Sequence, residues 1–347
     1  MIDKYGADAV RYSLMILTRE GQDVKLSENR FELGQRFCNK IWNASRFVLQ
    51  HLEGEVAEEK GDALEDRWIL SRLSSVTQEV GRALDTYDFH DAAQALYRFT
   101  WDDFCDWYLE AAKRRIFTGE DAGEGTPEAA DAARGRRTLG EVLSQLLRLL
   151  HPFTPYLTEA LWGQLPPVFR PDDKQLIRSS WPIAAARDSS AEELFAHLQD
   201  AVRGFRNVRA LLDLPAGDMP QGSFLCEERA LAESLLQESA LIRALTNLSG
   251  LEAISDTKRL AQSGTDVFSG GSVFLPFGTA TDMKKLRTSL EKKQEKIQRG
   301  IQAIVGKLSN ERFVQNADAD VVQAEKMRKE DLERELRTLE QNLTGLS

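Results

Sequence analysis

Cysteine is nearly absent from this chain, and what there is does not cluster. Cys38, Cys105 and Cys226 are three in number and far apart in sequence. An odd, scattered set excludes a disulfide framework and a thiolate zinc site, and points to a reducing, cytoplasmic setting. Histidine is as sparse, with His51, His90, His151 and His197 equally dispersed. No apolar run approaches the roughly 18 residues that span a bilayer, so no membrane is expected as a partner. The N-terminal stretch lacks a basic region followed by an apolar one, which excludes a secretory signal there.

Proline disappears after Pro276. Positive charge is also short, with 45 Lys and Arg against 55 Asp and Glu, a net of −10 over 347 residues. At whole-chain scale that argues against nucleic acid. Catalytic signatures are missing as well. There is no GxxxxGK[ST] loop, no GxGxxG, no HExxH and no GxSxG. Gly270-Gly271 reads as a hairpin turn. Asp102-Asp103 and Asp172-Asp173 are neighbours pointing about 100° apart on a helix, so they read as solvated charges rather than an acid–base pair. His151, directly before Pro152, reads as a helix-terminal structural residue.

What is present is helical periodicity. A hydrophobic fraction of 42% and a charged fraction of 29% are ordinary for a globular chain of two or three domains. Apolar spacing of three and four predicts helices from near Glu28 to Leu52, over Leu64–Leu84, Phe89–Phe117, Arg137–Leu150 and Tyr156–Leu165. Polar, Gly- or Pro-rich linkers separate them at Glu53–Ala63, Thr118–Pro127 and Pro166–Asp188. This pattern predicts an antiparallel helix bundle. Beyond Asp188 a helix over Ala191–Leu212 precedes short strand-like runs at Ser223–Cys226, Leu251–Ile254 and Ser272–Leu275. A Leu-rich helix lies over Glu228–Leu245, and Pro215–Gly222 and Ser263–Ser272 read as linkers. This is a small α+β module. From Asp282 onward, Leu286, Leu290, Ile297, Ile301, Ile304 and Leu308 mark one helix. Leu332, Leu336, Leu339 and Leu343 mark a second, with a turn over Asn310–Asp320. The prediction is a C-terminal antiparallel coiled-coil hairpin, in a mainly α protein.

Two surfaces suggest binding. On the first helix the apolar side centres on Phe37, Ile41, Ser45, Val48 and Leu52. Arg36, Asn39, Lys40, Asn43, Arg46 and Phe47 gather on the opposite side. Three cations, two amides and a phenyl ring suit unstacked bases: the ring stacks, the amides read base edges and the cations hold phosphates. An ordinary solvated basic face with a stray Phe gives the same pattern. On the C-terminal hairpin, residues 284–312 carry nine Lys or Arg, among them Lys284, Lys285, Arg287, Lys292, Lys293, Lys296 and Arg299, against three Glu. The arm as a whole, 282–347, holds 14 basic and 12 acidic residues, which leaves −12 on the rest. A basic helix on an acidic body can meet a phosphate backbone, and it is equally a coiled-coil surface.

Several segments then resemble one family in order along the whole chain. They are DKYGADAVRYSL at 3–14, GQDVKLSENR at 21–30, FCNKIWNASRFVL at 37–49, DRWILSRL at 66–73 and FHDAAQALYRFTWDDFCDWYLEAAK at 89–113. LLHPFTPYLTEALW at 149–162, FRNVRALLDLP at 205–215 and the terminal hairpin complete the set. They resemble the C-terminal part of valyl-tRNA synthetase, a class I aminoacyl-tRNA synthetase. The hairpin tip, FVQNADAD, lacks the Ala-Pro usual in the family. The resemblance implies four parts: residues 1–28 joining catalytic core to bundle, an anticodon-binding bundle at 29–185, an α+β connector at 186–281 and a coiled-coil arm at 282–347. It implies tRNA(Val) as partner, with the anticodon on the bundle and the outer corner of the L on the arm. The family's ATP-binding His-x-Gly-His and Lys-Met-Ser-Lys-Ser elements and its editing domain have no counterpart here. No cofactor, ATP, Mg²⁺ or metal is therefore expected in this segment. It should catalyse nothing alone, bind tRNA weakly as a monomer, and work with the catalytic domain of the same enzyme. The competing expectation is a free-standing interaction protein whose coiled coil binds a protein partner or itself.

Overall fold

A computed structural model of the chain describes residues 1–18, 27–171, 175–255, 263–277, 283–310 and 319–345. The Asp172-Asp173 pair, most of GQDVKLSENR and most of the hairpin turn lie outside the described residues. The chain divides into two compact units, Met1–Phe195 and Ala196–Ser347.

The first unit is helical. Its elements are α1 (Ile2–Tyr5), α2 (Ala7–Leu17), α3 (Phe31–His51), α4 (Leu64–Asp85), α5 (Phe89–Arg98), a π-helical stretch (Phe99–Tyr108), α6 (Leu109–Ala122), α7 (Pro127–Leu150) and α8 (Pro155–Trp162). The apolar periodicity explains the burial. Phe37, Ile41 and Val48 of α3 and Trp68, Ile69, Leu73 and Val80 of α4 are all buried.

Two features depart from the sequence expectation. The helix expected from Arg137 begins at Pro127, because Thr126 caps it and accepts from Ala129 N while Pro127 occupies the first turn. The helix expected over Phe89–Phe117 contains a ten-residue π-helical stretch. Asp103 within that stretch is not a solvated charge. It accepts from Arg72 Nε of α4 at 2.9 Å, and burial raises its pKa despite that pairing.

The N-terminal helices join the same unit. The Tyr12 ring stacks on Phe37 at 4.3 Å, and its hydroxyl donates to Ala93 O at 2.7 Å. Gly34 allows α3 to approach α2. A Cβ there would sit 2.2 Å from Ala9 O, and Gly34 N donates to Ser13 Oγ at 3.2 Å. Asp8 caps α8 from a distance in sequence, accepting from Tyr156 N at 3.4 Å and Leu157 N at 2.6 Å. Burial raises the Asp8 pKa against those bonds.

A buried ion cluster ties α4, α6 and α7. Arg115 donates to Asp66, to Glu65 at 3.5 Å, and to Asp131 at 2.6 and 2.7 Å. Tyr108 donates to Asp66 Oδ1 at 2.8 Å. One guanidinium faces three carboxylates, and burial lifts the Asp66 pKa to about 6.

The boundary between the units falls within α9 (Ser189–Leu211). The second unit holds β1 (Gln221–Cys226), α10 (Arg229–Gln237), α11 (Ser239–Thr246), β2 (Gly250–Ala253), β3 (Ser263–Phe268), β4 (Gly271–Pro276), α12 (Met283–Leu308) and α13 (Ala319–Gly345). The sheet order is β2-β1-β4-β3, with β1 parallel to β2 and the other pairs antiparallel. The stretch from Ser263, expected as a linker, is edge strand β3. Ser269 and Gly270 form its turn into β4, with Gly270 at φ 105°. The Leu-rich segment is two helices, broken at Glu238.

The helices α12 and α13 pair antiparallel. Lys307 Nζ meets Glu325 Oε1 at 2.9 Å and Gln294 Nε2 meets Glu340 at 3.5 Å, so partner numbers sum nearly to a constant. Leu290, Ile297 and Ile304, seven residues apart, are buried together with Leu339.

Candidate nucleic-acid interface

The six residues selected on α3 do share one side of it, and they differ in accessibility. Arg36, Asn39, Asn43 and Arg46 are exposed, whereas Lys40 and Phe47 are half-buried. The cause is the neighbouring stretch from Phe99 through α6. Lys40 Nζ donates to Asp106 Oδ1 at 2.8 Å and lies 4.9 Å from the Trp101 ring centroid. Burial opposes its charge, but the bond and charge of Asp106 outweigh it, so its pKa sits above the usual lysine value. Arg36 pairs with Glu32 at 3.3 Å in an exposed i,i+4 contact, which is worth little and is readily exchanged for another anion.

Phe47 belongs to a small aromatic cluster. Its ring is 4.5 Å from His51, and His51 is 5.4 Å from Phe117, which is itself exposed. Lys113 Nζ sits 5.2 Å from the Phe47 centroid, a cation–π geometry. Lys113 also reaches Glu110 at 2.6 Å. The phenyl ring therefore presents one side to a cation on α6. Lys113 and Phe117 were not selected from sequence, because their relation to Phe47 exists only once α6 packs beside α3. Trp42 was missed too. It is exposed, and at about 100° per residue it falls beside Asn39, so the helical wheel does place it at the margin of this face.

Aromatic rings continue from this face into the core. Phe37 stacks on Tyr97 at 5.2 Å, and Tyr97 on Trp101 at 5.5 Å. The surface of α3 is thus backed by stacked rings.

The basic residues of the arm lie along α12. Lys284, Arg287, Lys292, Lys296 and Arg299 are exposed; the side chains of Lys285 and Lys293 lie outside the described residues. Arg287 pairs with Glu291 at 3.2 Å and Arg299 with Glu295 at 3.1 Å, both on the same helix and both exposed. Among the described residues no three His, Cys, Asp or Glu side chains converge as a metal site, and no helix is long and apolar enough to cross a membrane.

The first unit is thus a helix bundle with a cationic, amide-rich face on α3, and the second joins an α+β module to a helical hairpin whose first helix is basic. Residues 66–221 match the anticodon-binding domain of tRNA ligase, and residues 282–347 match the valyl tRNA synthetase tRNA binding arm. The chain belongs to the valyl-tRNA synthetase family, to whose C-terminal part it corresponds. It is 35% identical over its whole length to the valine–tRNA ligase of Syntrophotalea carbinolica, and 35% to that of Fervidobacterium nodosum. The Thermotoga maritima enzyme is 37% identical over 94% of the chain. The chain spans 38% of the first two relatives and 36% of the third.

Proposed function

We propose that this chain is a tRNA-binding module that serves valine–tRNA ligation as part of a longer protein. The bundle takes the anticodon of tRNA(Val) and the arm takes the outer corner of the L. The observation that carries this reading is the joint match of one chain to an anticodon-binding domain and to a tRNA-binding arm. The exposed amides and guanidinia of α3 agree with it, since unpaired bases are read by hydrogen bonds to their edges and by stacking. Residues 1–28, 29–185, 186–281 and 282–347 are the working parts in this reading.

No bond-making step falls to this chain. Its sequence carries neither of the ATP-binding elements of the family, and its role is to hold RNA in place. ATP and Mg²⁺ belong to the catalytic portion, which is the protein partner in this reading, and the binding module acts as a monomer in the cytoplasm.

The test is titration of the chain with a tRNA(Val) transcript, paired with light scattering for mass. Binding by a monomer that weakens as salt rises supports the reading. A dimer blind to tRNA overturns it in favour of a protein-interaction role. Charge reversal of Lys292 and Lys293 to Glu should weaken binding at every anticodon sequence and flatten the salt dependence by about one per lost phosphate contact.

A further inference from the structure

Tyr87, in the turn between α4 and α5, stands where its backbone favours glycine. Its φ is 61°, in the left-handed region. Among the described residues the other non-glycine positions of that sign are Asp213 and Asn247, whose short polar side chains tolerate it. The cause lies at the end of α4. Tyr87 N donates to Leu84 O at 3.1 Å and Asp88 N to Ala83 O at 2.8 Å. These are the paired bonds of a Schellman helix end, whose left-handed residue is usually Gly. Asp88 then caps α5, accepting from Asp91 N at 3.1 Å, so the turn is pinned from both sides. A tyrosine here gains little packing in return for its strained backbone. It is 80% exposed, and its ring meets Phe89, itself 42% exposed, edge-on at 6.4 Å. An exposed aromatic pair on an unfavourable backbone adds little to the stability of this chain.

The surroundings of the pair are acidic. Asp85, Asp88 and Asp91 are all exposed, with Arg82 one turn earlier as the single cation of residues 82–91. That charge repels a phosphate backbone and suits a basic protein surface. The position of the turn names the partner. Helix α2 lies across the same end of the bundle, where Tyr12 bonds to Ala93 O, one turn along α5 from Phe89, and Asp8 caps α8 at Tyr156. Tyr156 is 70% exposed, and Met1 and Ile2, which lead into α2, are exposed as well. The chain corresponds to the C-terminal part of its family and spans 38% of the first relatives, so in a longer protein of that kind the remainder arrives at this end.

We propose that the α4–α5 turn is a docking knob for the portion of the longer polypeptide that precedes residue 1. Tyr87 and Phe89 enter an apolar hollow on that portion, and Lys or Arg side chains on its rim face Asp85, Asp88 and Asp91. The inference rests on the reading above that the chain works as part of a longer protein, and it adds a protein contact at a site apart from the α3 face.

The experiment compares the full-length polypeptide with residues 1–347 alone. In the full-length protein Tyr87 is replaced by p-benzoylphenylalanine and irradiated, and the products are mapped by peptide. Crosslinks to peptides that precede residue 1 support the knob. Crosslinks to tRNA or to a second copy, or none at all, overturn it. Two substitutions give a second readout. Tyr87→Gly suits the left-handed backbone, and Asp85→Lys places a cation at the end of α4, where the helix dipole favours one. Residues 1–347 carrying either change should melt no lower than wild type and bind tRNA(Val) transcript with unchanged affinity. In the full-length protein each should speed the release of this chain by limited proteolysis about tenfold. Unchanged proteolysis overturns the knob, and so does weakened tRNA binding, which would make the turn an RNA contact. If wild-type residues 1–347 bind no tRNA, the tRNA reading falls while the crosslinks still decide the docking.

Discussion

Asn342 holds Thr265 by both of its backbone groups. Its Oδ1 accepts from Thr265 N at 2.6 Å and its Nδ2 donates to Thr265 O at 2.8 Å. The side chain is 3% exposed. Thr265 lies on β3, the edge of the sheet, where backbone groups face no further strand among the described residues. A single amide near the end of α13 thus does for that edge what another strand would do, and protects it from pairing with a foreign chain.

Asn342→Ala leaves a buried N–H and C=O without partners. The expected cost is about 1–3 kcal/mol in chemical denaturation of the second unit. Amide exchange at Thr265 should quicken in step. Unchanged exchange would show that the clasp adds nothing to the edge.

The Arg115 cluster predicts a pH effect. Asp66 is raised from 3.8 to about 6 by burial, with Arg115 and Tyr108 opposing and Glu65 adding to the rise. The folded state therefore holds this proton more tightly than the unfolded chain does. The stability it confers is full below about pH 4 and is lost as pH rises through about 6. Asp66→Asn cannot ionise. Its melting temperature relative to wild type should improve between pH 4.5 and 7.5. A constant gap across that range would mean that Asp66 is ionised throughout.

Gly34 is predicted to be intolerant of even one carbon. Gly34→Ala places a methyl against Ala9 O and Ser13 Oγ, and the nearer of these is backbone. The helices α2 and α3 must separate, at a cost of about 1–3 kcal/mol. Gly81→Ala, inside α4 with nothing within 4 Å of the added carbon, is the control and should raise the thermal melt slightly, because alanine favours the helix.

Lys113 is predicted to act through Phe47. Lys113→Ala removes the cation from the ring, and Lys113→Arg keeps it. The first should weaken binding of a tRNA(Val) anticodon stem-loop about threefold to tenfold, and the second should leave it near wild type. Phe47→Ala and Asn43→Ala should each cost about 1–3 kcal/mol in the same titration. Equal affinities in all four would remove α3 from the interface.

Much of this architecture is legible in the sequence, and the exceptions share a cause. The periodicity of α3 and α4 names their buried residues because an amphipathic helix carries its own pattern. The seven-residue spacing of Leu290, Ile297 and Ile304 does the same for the arm. Strand β3 is different. SGTDVF is short and polar, and it becomes a strand because β4 pairs with one side and Asn342 closes the other. The π-helical stretch is equally silent, since an aromatic-rich run reads as one apolar helix at any nearby period. On the candidate face of α3 the division repeats. Arg36, Asn43 and Arg46 are visible on a wheel, whereas Lys113 lies 66 positions from Phe47 and reaches it only through packing.

The Asp8 cap sets an order of events during synthesis. Its two bonds join residues 148 and 149 positions apart. A ribosome must have delivered the chain through Leu157 before the N-terminal helix can find the amides it serves. Until then Tyr12 has no Phe153 beside it, and the growing bundle carries exposed aromatic surface. This is the interval in which a chaperone has most to cover.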